Sequence, residues 1–495
     1  MTIDQAAAIA EVARQYLIDP PSADDPVVEL ATPDELVQAF ADVVPLTLPD
    51  KVQAADAALL AHAAQLVVKY SVHTSHPRFF NQNFAGPDPV AVAGDWLGAA
   101  LNTTNATFEA APVFTLMETA VLRKLAAVAG WPDDGNPALA PGMFAPGGST
   151  ATLYALQLAR HRHQPDITRV GANGDKLMIF VSDAGHYAAV KSAALLGMGM
   201  DAVVKVDSDD VGRMLPDSLR AAVASARQAG QVPLCVIGTA GTTVTSAFDP
   251  LDALADICKA EDLWLHVDGC YGGSALFSPS QRHHLDGVQR ADSFVWNLHK
   301  MMGITQQCTA LLVRDPAQLA PCFATGATYI FQPDKLFGDY DSGDRHFQCA
   351  RRVDVLKLWL SWHAHGDAGF AARVDHAFAM AEHTRDRIAN SDGEFATIVA
   401  GDFTNVVFTW VPPELRPFDL RDVSEQTHQA LHELAPKIKA GLQQSGSALL
   451  GFQPVHGINS FRLLFMNPAV TAADVDIALD TIASLASSLW AGADG

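Results

Sequence analysis

Cationic side chains are scarce in this chain. Thirty-three lysines and arginines face 55 aspartates and glutamates in 495 residues, a formal net charge of -22. That balance excludes nucleic acid or an anionic membrane as the main partner, since either needs a basic footprint. The six cysteines, Cys235, Cys258, Cys270, Cys308, Cys322 and Cys349, include no CxxC pair and no ligand-like spacing to histidine. They read as reduced thiols of a reducing compartment, and no metal site is expected. No apolar run is long enough to cross a bilayer, and the start Met1-Thr2-Ile3-Asp4-Gln5 lacks a basic n-region. The expectation is a cytoplasmic protein. Internal repeats and low-complexity tracts are absent as well. What remains is a globular enzyme's composition, 49% hydrophobic, with a length that allows about three domains.

The pattern along the chain sets the organisation. Residues 3–17 repeat apolar positions at helical spacing until Pro20-Pro21-Ser22 breaks them, and the Ala-rich stretch 54–64 reads as a helical packing face. From about residue 112 to 370, helical and β-type runs alternate with Gly and Asp turns, the pattern of a mostly parallel sheet covered by helices. After residue 371 come a helical stretch to about 390, a strand-like run 405–411, the turn Pro412-Pro413, a further helix, a strand 460–465 and a last helix 472–490. The expected division is an N-terminal helical segment (1–111), a large α/β domain (112–370) and a small C-terminal α/β domain (371–495).

Two segments carry the chemistry. The apolar run Leu263-Trp264-Leu265-His266-Val267 ends in Asp268-Gly269-Cys270, and a second run, 291–296, leads to His299-Lys300. A buried strand ending in a polar residue delivers that residue to the carboxyl edge of an open sheet, where such folds bind ligands. Each residue also has an ordinary reading. A lone Asp after a strand commonly caps a helix or forms a turn, and a lone Lys is commonly a solvated charge.

Their company shifts the balance. Phe144-Ala145-Pro146-Gly147-Gly148-Ser149-Thr150 precedes a periodic stretch, so a helix starts at a glycine turn whose free N–H groups and dipole suit a phosphate. The two glycines fit neither the P-loop spacing nor the dinucleotide fingerprint. A β-type run, 176–182, leads to Asp183-Ala184-Gly185-His186-Tyr187, where a flat imidazole can stack on a ring, handle a proton or simply close a turn. Another run, 232–238, closes in Thr239-Ala240-Gly241-Thr242-Thr243, with hydroxyls for a ring oxygen. Four successive strand ends each deliver a polar group. An amine that can form an imine and an anion that can hold a pyridine nitrogen protonated together suit pyridoxal 5'-phosphate (PLP).

With these motifs in this order, the chain resembles the group II PLP-dependent amino acid decarboxylases, which include glutamate, cysteine sulfinate and aromatic amino acid decarboxylases. The likeness runs from about residue 76 to 468. It is most similar to the glutamate and cysteine sulfinate branch, on His76-Pro77-Arg78-Phe79-Phe80-Asn81-Gln82, Ala111-Pro112-Val113-Phe114, His299-Lys300-Met301-Met302-Gly303 and Phe331-Gln332-Pro333-Asp334-Lys335. The resemblance implies the fold type I PLP-dependent transferase architecture and a lyase that releases CO₂ and an amine. It implies that Lys300 tethers the cofactor, Asp268 pairs with its ring nitrogen and His186 stacks on the ring. Ser149, Thr150 and His299 would hold the phosphate, Thr242 would lie near the ring hydroxyl, and Cys270 would pack by the ring. On the substrate side it implies Gln82, Arg462 as the fork for the α-carboxylate, and Ala106 and Phe108 in the pocket wall. It also implies a homodimer with shared active sites, the N-terminal helices packing on the partner.

Three positions depart from the family pattern. Cys270 follows Asp268-Gly269 where relatives commonly have Asp-Ala-Ala, and Leu298 replaces the proline of Asn-Pro-His-Lys. In the mobile loop Asp334-Lys335-Leu336-Phe337-Gly338-Asp339-Tyr340, a gapless match puts Phe337 where the branch has its proton-donor Tyr. Either Tyr340 or Tyr329 supplies the proton after a small loop shift, or the reaction is diverted toward oxidation and an aldehyde. The substrate expectation is a small acidic amino acid, glutamate, aspartate or cysteine sulfinate. Ala106, where relatives carry an aromatic ring, leaves diaminobutyrate and aromatic amino acids open. The acidic net charge does not decide the question, because salt screens it beyond about 8 to 10 Å.

Overall fold

The computed structural model describes residues 3–48, 56–132, 135–136, 138–332 and 334–491. Among them are twelve strands: β1 (Phe79–Phe80), β2 (Gly142–Ala145), β3 (Leu177–Ser182), β4 (Val203–Val206), β5 (Val232–Thr239), β6 (Trp264–Asp268), β7 (Ser293–Asn297), β8 (Thr309–Val313), β9 (Phe395–Thr397), β10 (Asn405–Trp410), β11 (Leu449–Val455) and β12 (Ile458–Leu464). They form two sheets in two compact units, residues 87–376 with 399–403, and residues 1–86 with 377–398 and 404–495.

The larger unit holds a seven-stranded sheet in the order β2-β8-β7-β6-β5-β3-β4. Pairing is parallel from β4 through β3, β5 and β6 to β7, then antiparallel through β8 to β2. Strands covered on both faces read as unbroken apolar runs rather than alternating ones, which is why β3 and β7 are buried at every position. The helix Gly148–His163 lays Ala151, Ala155, Leu156, Leu158 and Ala159 into a core shared with Ile179, Val181, Ile237, Trp264 and Val295. Each fully buried Leu, Ile or Val there contributes roughly 1.5–3 kcal/mol. The mostly parallel sheet agrees with the expected α/β class. The antiparallel β8 and β2 were not apparent from the run pattern, since both are short and wholly buried.

The smaller unit is built on the sheet β1-β11-β12-β10-β9. Its core packs Phe80, Phe408, Leu450, Phe461 and Leu463 against Ile438, Leu479 and Ile482 of two covering helices. The expected boundary at residue 111 does not coincide with this division. The reason is main-chain pairing: β1 lies parallel to β11 with Phe79 opposite Leu449, and Val27 N–H donates to Gly446 O at 2.8 Å. These bonds tie residues up to 86 to the C-terminal sheet, whereas the helix Pro89–Leu101 falls in the larger unit. Near residue 371, the helix begins earlier than expected, spanning Val355–Ala389 with a break at Gly366, whose φ is 63°. The Ala-rich helix is observed as Ala57–Lys69, its expected start at 54 lying outside the described residues, as does Pro333.

Candidate active site

Neighbouring parallel strands bring their carboxyl ends to one edge, and the site forms there. Thr239, the last residue of β5, is the register partner of Asp268, the last of β6, and Asp268 in turn pairs with Val295 of β7. Beyond β7 the chain turns through Asn297 into His299 and Lys300. These ends, the glycine turn after β2 and the segment after β3 enclose a cavity of about 370 Å³. Its lining includes Ser149, His186, Asp268, Cys270, His299 and Lys300.

Electrostatics fix the state of the walls. Burial alone would raise the Asp268 carboxyl, but the Cys270 hydrogen bond and the charges of His186 and Lys300 hold it below the ordinary carboxylate range. Its Oδ1 also accepts the Cys270 backbone N–H at 3.1 Å. His186 is lowered by burial, with Lys300, Lys191 and Lys205 adding to the effect and Asp268 opposing it. Its Nδ1 accepts the Ala188 N–H at 3.2 Å, and its ring lies 4.1 Å from that of Tyr187. Burial brings His299 down to about 4, and its Nδ1 accepts the Cys308 N–H at 3.1 Å. Both imidazoles are therefore neutral at pH 7, and Asp268 is anionic.

At the glycine turn, Gly147 caps the helix Gly148–His163 without a side-chain bond. The N–H groups of its first turn receive no side-chain cap, and the positive end of the helix there suits an anion. Gly147 has φ 97°, a left-handed value that favours glycine.

Two hydroxyls differ from expectation. Thr242 Oγ1 accepts the Ala247 N–H at 2.9 Å and meets Thr245 Oγ1 at 2.8 Å, so it braces the turn and does not line the cavity. Thr150 also stands off the wall, its Oγ1 3.5 Å from Pro146 O. Thr239 and Thr243 of the same hydroxyl-rich turn line it instead, together with Tyr271, Asn297 and Gln306, to which the sequence reading gave no role. Thr239 Oγ1 is buried without a hydrogen-bond partner, an acceptor and donor held ready for a ligand. Its signal in the sequence was its place as the last residue of an apolar run.

The remaining expected residues gather elsewhere. Ala106 is buried, and its carbonyl accepts the N–H groups of Ser342 and Gly343 at 3.1 and 2.8 Å. The Phe108 ring lies 5.3 Å from Phe337 and 5.5 Å from Tyr340. These residues form an aromatic group with the 334–343 loop and are not among the cavity's lining. Gln82 and Arg462 belong to the smaller unit. Gln82 is exposed after β1; Arg462 is buried on β12, opposite Gly451 and Val407. Among the described residues no group of three or more His, Cys, Asp or Glu is placed to hold a metal ion.

An anion cradle, an unpartnered hydroxyl, an anionic carboxylate and an amine in one cavity fit PLP. Comparison with known proteins agrees. The pyridoxal-dependent decarboxylase conserved domain matches residues 38–411. The chain is 43% identical over 468 residues to the cysteine sulfinic acid decarboxylase of Homo sapiens, covering 94% of this chain and 92% of the relative. Mouse CSAD superposes with a TM-score of 0.91 at 40% identity, over 97% of this chain and 98% of that one. Oryza sativa TDC, solved with PLP and tryptamine, gives 0.87 at 26% identity over 99% of both chains. The chain belongs to the pyridoxal-dependent decarboxylase family, in the glutamate and cysteine sulfinate branch of its group II members, and is a PLP-dependent amino acid decarboxylase.

Proposed function

We propose that this decarboxylase acts on cysteine sulfinate, with glutamate and aspartate as the related small acidic candidates. The observation that carries the reading is the identity to human cysteine sulfinic acid decarboxylase along nearly the whole of both chains. It works as a cytoplasmic homodimer whose active sites draw on both subunits. Two features support this: no described helix is long and apolar enough to cross a membrane, and the helix Ile3–Ile18 buries none of its residues within its own chain. That helix would pack on the partner.

Bound in the cavity, PLP supplies the electron sink for the pair left when CO₂ departs. Lys300 provides the amine that tethers it. Asp268 holds a fixed negative charge toward the ring nitrogen, and a carboxylate there keeps that nitrogen protonated where a neutral group would not. His186, neutral and flat, would lie against the ring. The first-turn N–H groups at Gly148 and Ser149, with His299, would hold the phosphate, and the Thr239 and Thr243 hydroxyls would serve the ring edge. Arg462 binds the substrate's α-carboxylate as a two-point fork, which fixes direction as well as position. Gln82, Ala106 and Phe108 shape the substrate side, and Tyr340 returns a proton to the α carbon.

The test is direct. Purified protein with PLP is given cysteine sulfinate, glutamate, aspartate, 2,4-diaminobutyrate or an aromatic amino acid in turn, and CO₂ and product mass are measured. Turnover fastest with cysteine sulfinate, releasing its amine, is the expected result. Preference for diaminobutyrate or an aromatic amino acid overturns the substrate assignment.

A further inference from the structure

Cys270 stands two residues past Asp268, and its side chain reaches both ends of the cavity wall. Its backbone N–H donates to Asp268 Oδ1 at 3.1 Å, which brings the thiol beside the same carboxylate that it helps to hold below its ordinary range. On the other side, the sulfur lies against the start of the phosphate-turn helix so closely that a methyl group on Gly148 would come 2.3 Å from Sγ. The same methyl would stand 3.2 Å from Asn297 Nδ2. Cys270 is buried and lines the cavity beside Lys300.

We propose that Cys270 is a positioning residue of the cofactor site: its S–H donates to Asp268, and its sulfur sets the spacing between that carboxylate and Gly148. The inference rests on PLP occupying this cavity. A thiol is a weak donor to a neutral acceptor, but a carboxylate strengthens the bond. Burial, reinforced by the Asp268 charge, pushes the thiol well above its ordinary range, so it keeps its proton and remains a donor. A donor to Asp268 favours the anion, and an anion there leaves the shared proton on the ring nitrogen. The small Gly148 is the steric counterpart, leaving room for the sulfur where an alanine methyl at 148 would collide with it.

The test uses the PLP-loaded wild type, Cys270→Ala and Cys270→Ser, reading the absorbance of bound PLP against pH and PLP retention at equilibrium, with thermal unfolding of each apoprotein as a folding control. Cys270→Ala is expected to shift the pH midpoint of the absorbance change and weaken retention roughly tenfold, the scale of one hydrogen bond to a charged group. Cys270→Ser, which keeps a donor, restores the midpoint. Gly148→Ala is expected to weaken retention, and combining it with Cys270→Ala to recover part of the loss, because the added methyl then has space. Identical midpoints for the Ala and Ser variants overturn the hydrogen-bond role, and a double variant no better than Gly148→Ala overturns the spacing role. A wild type that takes up no PLP, or in which borohydride fails to trap Lys300, refutes the cofactor assignment instead.

Discussion

The carboxylate of Asp249 accepts the backbone N–H of Thr239 at 2.7 Å, directly behind the cavity wall, and takes the Met214 N–H at 2.7 Å on its other oxygen. Burial, aided by the charges of Asp209 and Asp183, pushes it up to about 7. The unfolded chain loses this proton near the ordinary 3.8. Between those values the folded state alone retains it, so the group's contribution to stability falls as pH rises from 4 past 7.

Asp249→Asn cannot ionise. The stability of the wild-type apoprotein relative to this variant is expected to drop between pH 5 and 8 by about 2.5 kcal/mol. Urea unfolding of both at the two pH values measures it. Parallel pH dependences would show that Asp249 titrates as an ordinary carboxyl.

Asp268→Asn keeps the size of the side chain and removes its charge. The loss is expected in turnover, on the order of 10²- to 10³-fold, with apoprotein melting nearly unchanged. Kinetics on the PLP-saturated variant beside thermal unfolding separates the two. Equal losses in folding and turnover would make the carboxylate structural.

How much of this was legible beforehand follows from what a linear pattern encodes. Asp268, His186, His299 and Lys300 were readable because each closes or follows an apolar run, and parallel neighbours align such ends at one edge. Which hydroxyl of Thr239, Thr242 and Thr243 faces the cavity was not readable, since the choice depends on turn geometry: Thr242 turns inward to take the Ala247 N–H. Residues up to 86 looked like part of a separate helical segment because β1 is only two residues long, too short for any periodicity. The contact of Cys270 with Gly148 joins positions 122 apart in the chain, which no local pattern reports.

Glu118 and Arg351 form a buried pair, with Nη1 at 2.7 and 2.8 Å from the two carboxylate oxygens. Arg351 Nη2 also donates to Asn105 O at 2.7 Å and Ser342 Oγ at 3.0 Å, so one guanidinium joins the segment before Ala106 to the loop after Tyr340. Arg351→Leu leaves a buried unpaired carboxylate and is expected to cost about 3–5 kcal/mol. Glu118→Leu with Arg351→Leu should recover most of that in chemical unfolding. Limited trypsin digestion should cut faster after Lys335 or Arg345 in both variants, because Ser342 loses its anchor. Unchanged cutting would place the loop's hold elsewhere.

Tyr340 is the loop hydroxyl proposed above as the proton donor. Tyr329 is 81% exposed and Phe337, also exposed, has no proton to give. The Tyr340 ring instead packs on Phe108, and the loop around it is fastened: Asp341 takes the Phe108 N–H at 2.8 Å and the Lys335 ammonium at 2.9 Å. A proton donor removed from such a site costs about 10²- to 10⁴-fold. Tyr340→Phe is therefore expected to cut amine formation by at least about 10²-fold while CO₂ release persists. With O₂ present, the unprotonated α carbon would then be oxidised, giving aldehyde, ammonia and hydrogen peroxide. Tyr329→Phe should leave the amine yield near that of wild type. Mass analysis of products with and without O₂ decides the matter: if the wild type already yields aldehyde and peroxide in step with CO₂, Phe337 marks a chain that has given up the protonating step and Tyr340 is not its donor.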